Sequence, residues 1–131
     1  MKRRRVIIAD SSQNLLEGIR GLLETIFDSV IMVADLDSLL DAATKIQADL
    51  AVLDISLGSK QCADAVRTIK EVSPDMKVLV MSMHDESTAL EKAVSSGADG
   101  FVLKRSAAEH LIPAVEKILQ GGTFYSTIQG N

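Results

Sequence analysis

Leu50-Ala51-Val52-Leu53-Asp54 is the stretch on which the fold turns. Four apolar residues in a row, bounded by acids, read as a strand buried on both faces, which is the habit of parallel sheets. An ionised carboxylate at the tip of such a strand is costly to desolvate unless something pairs with it. Ligands of open α/β sheets bind outside the carboxyl ends of the strands. Asp54 is therefore a metal ligand, a nucleophile or a helix cap.

Working outward, strand-like and helix-like segments alternate along the whole chain. Val6-Ile7-Ile8-Ala9, Val30-Ile31-Met32-Val33-Ala34, Val78-Leu79-Val80-Met81 and Phe101-Val102-Leu103 are the other short apolar runs. Between them, apolar residues recur at helical spacing: Leu15 to Ile26, Leu36 to Ile46 with Asp41 and Lys45 at i,i+4, Val66-Ile69-Val72, and Leu90-Ala93-Val94. Pro74 ends the third helix and Gly97 the fourth. The last helix opens with Ser106-x-x-Glu109, which reads as a capping box, and closes at Gly121-Gly122. Five βα units predict an α/β fold, a doubly wound five-stranded parallel sheet of order 2-1-3-4-5, the flavodoxin-like arrangement.

The bulk composition narrows the function. The chain has 131 residues, a formal charge of -4 and 47% apolar residues, enough for one domain with a real core. No overall basic field draws it to nucleic acid or membrane. The basic run Lys2-Arg3-Arg4-Arg5 is followed by four apolar residues, against the roughly 7–15 of a secretory h-region. No stretch approaches the roughly 18 apolar residues of a membrane span. The single cysteine, Cys62, allows no internal disulfide and fits a reducing cytoplasm, with Cys62 itself a small buried residue.

The residue just past each of four strands carries the chemistry: Asp10, Asp54, Ser82 and Lys104. In the predicted topology these four converge at one end of the sheet. Neighbouring carboxylates repel unless a cation lies between them. Hard oxygen ligands with few protein contacts suit Mg²⁺. A carboxylate beside Mg²⁺ can attack a phosphoryl group and hold it as an acyl phosphate, with a hydroxyl and an ammonium stabilising the equatorial oxygens.

With Val6 to Asp10, Val52-Leu53-Asp54, Val80-Met81-Ser82-Met83 and Gly97 to Lys104 in this order, the chain resembles a response-regulator receiver (CheY-like) domain over about Val6 to Gly122. Leu16-Glu17-Gly18-Ile19 and Leu119-Gln120-Gly121-Gly122 look most like the NarL/FixJ transcription-factor branch. The resemblance implies a receiver over 1–122 and the start of a linker to an output domain over 123–131. It implies that Asp54 accepts a phosphoryl group from a histidine kinase, and that Asp10, Asp54 and the backbone carbonyl of Ser56 hold Mg²⁺. Ser82 and Lys104 contact the phosphoryl group, and Phe101 is the aromatic switch that turns inward when Ser82 is drawn away. Enzymatic turnover beyond self-catalysed phosphotransfer is not implied. A homodimer on activation is, with DNA contacted only through the output domain.

Members of that family carry two adjacent acids after the first strand, where this chain has Asp10-Ser11. One fewer negative charge implies weaker Mg²⁺ binding. It also opens an alternative: a pseudo-receiver, an interaction module that switches without phosphate. His84, two residues past Ser82, is a solvated loop residue or one that faces the phosphoryl site. A third reading, a small α/β enzyme or flavin carrier, lacks its motifs: there is no G-x-G-x-x-G after the first strand, no G-x-S-x-G and few aromatics.

Overall fold

Six parallel strands form one sheet in the order β2-β1-β3-β4-β5-β6 in the computed structural model, which describes residues 4–10, 13–83 and 87–126, without the side chains of 13–17, 59 and 87. Ser11 and His84 lie outside the described residues. The strands are β1 (Arg5–Ala9), β2 (Ser29–Val33), β3 (Leu50–Asp54), β4 (Lys77–Ser82), β5 (Gly100–Leu103) and β6 (Phe124–Tyr125). The helices are α1 (Gln13–Leu23), α2 (Leu36–Lys45), α3 (Ser59–Val72), α4 (Ser87–Ser96) and α5 (Ala107–Leu119). The first five strands take the order expected from the alternating pattern. The sixth adds a two-residue edge beyond β5, in the stretch read from sequence as the start of a linker. Two residues carry no period, so no pattern could reveal it.

Alternation along the strands divides the core into two layers. Ile7, Ala9, Ala51, Leu53, Val78, Val80, Phe101 and Leu103 pack with Leu39 and Ala43 of α2, Val66 and Ile69 of α3, and Ala89 and Ala93 of α4. Val6, Ile8, Leu50, Val52, Leu79, Met81 and Val102 pack with Ile19 and Leu23 of α1 and with Leu111, Val115 and Ile118 of α5. All five residues of β3 are buried, as its unbroken apolar run requires. Val72 and Val94 differ from their helical pattern: they are 51% and 46% exposed, because α3 and α4 turn narrower faces to the sheet than the pattern suggested.

The helix ends show how the local chemistry works. Asp35 Oδ1 accepts from the Ser38 N–H at 2.7 Å and caps α2. Gly97 takes a φ of 102° after α4, where a side chain would be strained, and the Ala98 N–H reaches back to the Ala93 carbonyl. The capping box of α5 does not form. Ser106 makes no side-chain cap, because a 3₁₀ turn over Lys104–Ser106 runs straight into the helix and holds Ser106 at φ −104°, ψ 9°, away from the extended backbone a capping residue takes.

Candidate functional site

Parallel pairing brings the strand tips level. Ala9 pairs with Leu53, Asp54 with Met81, and Ser82 with Leu103, so Asp10, Asp54, Ser82 and Lys104 gather at one end of the sheet from four different strands. All four are buried, each 4% exposed or less. Such burial of two acids, a lysine and a serine has to be compensated. Lys104 supplies the compensation: its Nζ donates to Asp54 Oδ2 at 2.6 Å and to Asp10 Oδ2 at 2.9 Å. These partners lie 50 and 94 residues from it in sequence.

Ser56 completes the setting. It lies in the 3₁₀ turn Ile55–Leu57 that follows β3 and whose N-cap is Asp54. Its N–H donates to Asp54 Oδ1 at 3.1 Å and its hydroxyl to Asp54 Oδ2 at 2.5 Å. Ser56 itself is exposed, so it forms the solvent side of an otherwise buried carboxylate. Below, the Cys62 thiol donates to the Asp54 backbone carbonyl at 3.3 Å. The sequence reading considered Ser56 only through its carbonyl and missed its hydroxyl. The signal was present, since an aspartate side chain commonly accepts from the N–H two residues on.

The electrostatics follow from these contacts. Burial is the largest single influence on the Asp54 carboxyl and pushes it up. Hydrogen bonds from the Lys104 ammonium and from the Ser56 hydroxyl and N–H help to outweigh it, so Asp54 is held below its ordinary value of 3.8. Asp54 is therefore ionised near neutral pH and aimed at a cation. Burial, with the Asp54 charge second, pushes the Cys62 thiol up to about 12, which makes it a packing residue and not a nucleophile.

Two hard carboxylates converging on one cation are the donor chemistry of a Mg²⁺ site that keeps most of its water, so the residues present fit the ion. They fit it weakly, because Lys104 already bridges Asp10 and Asp54. Among the described residues no cluster of three or more His, Cys, Asp or Glu offers a richer site. Phe101, the residue expected to act as the switch, is 1% exposed. It packs in the layer shared with α3 and α4. A groove of about 870 Å³ lies away from this chemistry, at the other end of the sheet between the ends of α2 and α3. Its charged residues Arg5, Lys45, Asp49 and Asp75 are half-buried or exposed, so it shows none of the compensated burial found at the strand tips.

Comparison with known proteins meets this geometry from another side. The family model described as "Response regulator receiver domain" matches residues 6–116. The transcriptional regulatory protein DegU of Brevibacillus brevis is 31% identical over 121 residues, which is 91% of this chain and 51% of that protein. The chain thus spans about half the length of that relative. A LuxR-family two-component response regulator from Aurantimonas sp. SI85-9A1 superposes with a TM-score of 0.83 at 27% identity, covering 94% of this chain and 89% of that one. The isolated receiver domain of RcsB from Salmonella enterica serovar Typhimurium gives 0.78 at 29% identity, covering 93% and 92%.

Proposed function

The chain belongs to the response-regulator receiver family of two-component signalling, and from that premise we propose that Asp54 is its phosphoacceptor. The observation that carries the reading is a buried, ionised carboxylate at the tip of the central strand, held by Lys104 beside a second carboxylate. In the proposed step an oxygen of Asp54 forms a bond to phosphorus while the phosphorus–nitrogen bond of a kinase phosphohistidine breaks. The Lys104 ammonium, already bonded to Asp54, and the Ser82 hydroxyl at the neighbouring strand tip would take up charge on the equatorial oxygens. When bound, Mg²⁺ supplies positive charge to the transferring group, and Asp10, Asp54 and the Ser56 carbonyl are the groups that would hold it. Ser56 has a second part, since its hydroxyl must leave Asp54 Oδ2 before that oxygen can react.

The wider reading rests on the relatives. They include transcriptional regulatory proteins and LuxR-family regulators, which supports a receiver at 1–122 that controls an output domain, pairs with a second copy on activation and touches DNA only through that output. A histidine kinase as donor and a cytoplasmic setting go with this reading. No helix among the described residues is long and apolar enough to cross a membrane.

Intact-mass measurement after treatment with a small phosphodonor, across a Mg²⁺ titration, tests the proposal. The expected result is a gain of one phosphoryl group, absent in Asp54→Asn, with half-saturation at lower Mg²⁺ in Ser11→Asp. No gain at any Mg²⁺ level, in the natural chain and in Ser11→Asp alike, overturns it.

A further inference from the structure

The edge of β5 is occupied by the chain's own last described residues. Phe124 and Tyr125 run parallel to it, paired with Gly100 and Phe101. The Phe124 N–H donates to the Asp99 carbonyl at 3.2 Å, and the Ser126 N–H to the Phe101 carbonyl at 2.7 Å. The side chains fasten the segment on both sides of the sheet. Tyr125 packs on the α3/α4 layer and its hydroxyl donates to the Ala98 carbonyl at 3.0 Å. Phe124 packs on the α1/α5 layer, its ring 5.8 Å from that of His110. His110 Nδ1 shares a hydrogen bond of 3.1 Å with Ser126 Oγ, and Ser126 is buried at 4% exposure.

The fit is close and made for one position of β5. A Cβ at Gly100 would stand 3.1 Å from the Phe124 carbonyl oxygen and nearer still to Ile118 and Leu79, so the approach of the two strands depends on glycine there. β5 has four residues and runs directly into Lys104, whose ammonium is tied to Asp54 Oδ2 at 2.6 Å. A group bonded to Asp54 has to occupy space around that carboxylate and alters the contact that anchors the end of β5. A two-residue edge strand held by a few main-chain bonds and side chains is also the kind of element that opens locally at low cost.

We infer that Phe124-Tyr125-Ser126 is a displaceable latch on the edge of β5, released when Asp54 is phosphorylated. The inference rests on Asp54 being the phosphoacceptor. It makes the stretch after α5 a sensor of the strand tip, and it passes a charge event at Asp54 to the chain beyond residue 126 through β5 alone. Binding energies are reciprocal, so an interaction that holds the latch closed must oppose the phosphorylated state to the same extent.

Amide hydrogen exchange on the full 131-residue chain reads the latch directly. Without treatment the Ser126 N–H is expected to be protected. With beryllofluoride and Mg²⁺ as a phosphoryl mimic its protection falls by roughly 5- to 150-fold, the range of ordinary coupling, while Val52 in β3 is unchanged. Tyr125→Phe lowers Ser126 protection without any treatment and tightens beryllofluoride binding by the matching factor. Unchanged Ser126 protection in a chain that has bound the mimic overturns the latch. If neither the mimic nor a phosphodonor binds, the phosphoacceptor reading fails, and Lys104→Gln then judges the coupling between β5 and the latch by itself. With Val52 still protected, lost Ser126 protection upholds that coupling and unchanged protection overturns it. If Lys104→Gln does not fold, Arg105→Gly, at the exit of β5, takes its place with the same two outcomes.

Discussion

Lys104 balances two buried carboxylates with one charge, so the two sides of the contact are not equivalent. Lys104→Met leaves Asp10 and Asp54 facing each other without a cation, and breaking a buried pair in this way costs about 3–5 kcal/mol. Asp54→Asn leaves Lys104 with Asp10 at 2.9 Å and is expected to cost far less. Chemical denaturation at pH 7 checks the order of the two losses. Their pH dependence differs in sign. In the natural chain the folded Asp54 titrates below its ordinary 3.8, so its stabilisation is complete above about pH 4 and is lost as pH falls through the lower folded value. In Lys104→Met the repulsion of like charges raises a folded carboxyl above its unfolded value, so the deficit shrinks as the pH is lowered from 7 towards 4. A deficit that grows on acidification overturns this account of the pair. Ser56→Ala removes a hydroxyl from Asp54 Oδ2 but keeps the N–H on Oδ1. Acyl phosphate formation from a small donor is expected to speed up several-fold, since about 1.4 kcal/mol off a barrier is a factor of ten. An unchanged or slower rate removes Ser56 from the reaction. Cys62, with its thiol near 12, should resist alkylation at pH 8 in the folded chain and react once unfolded, as intact mass will show.

At the scale of elements, β5 shows what a sequence reveals and what it hides. Its run Phe101-Val102-Leu103 announces a strand, and Gly97 announces the end of the helix before it. The role of Gly100 is not announced, because it depends on Ile118 and Leu79 meeting at that point from two other elements. Gly100→Ala is therefore predicted to destabilise the fold by about 1–3 kcal/mol through overpacking. It should also loosen β6 beyond the global effect, because the Phe124 carbonyl is one of the atoms crowded. A thermal melt together with exchange at Ser126 checks both. Loss of stability with Ser126 protection falling only in proportion separates the packing effect from the strand contact. The same distinction explains the capping box at Ser106-x-x-Glu109. The residues were right for it, but the three-residue turn from Lys104 holds the Ser106 backbone away from the extended conformation that a cap needs. Local motifs are legible until a neighbouring element sets the backbone they depend on.

For the whole molecule, legibility followed the length of the signal. Five alternating units were long enough to declare the parallel sheet and its order, and the topology then forced Asp10, Asp54, Ser82 and Lys104 to one end. Hidden was β6, a feature made by contact between segments distant in sequence. That division bears on folding. The Lys104–Asp10 bond joins residues 94 apart and crosses the sheet at its centre, so it exists only when β1, β3 and β5 are all in place. The site should therefore melt with the core. A single denaturant transition is expected for far-ultraviolet circular dichroism and for the accessibility of Cys62, which lies under Asp54, with coincident midpoints. Exchange of the Val52 and Leu53 amides should track that global transition, whereas Ser126 on the edge strand should exchange through a smaller opening well before it. Cys62 becoming accessible at lower denaturant than the loss of helix would mean that the strand tips open by themselves. The buried charges would then have to be placed in a locally unstable end of the sheet, and not in its cooperative core.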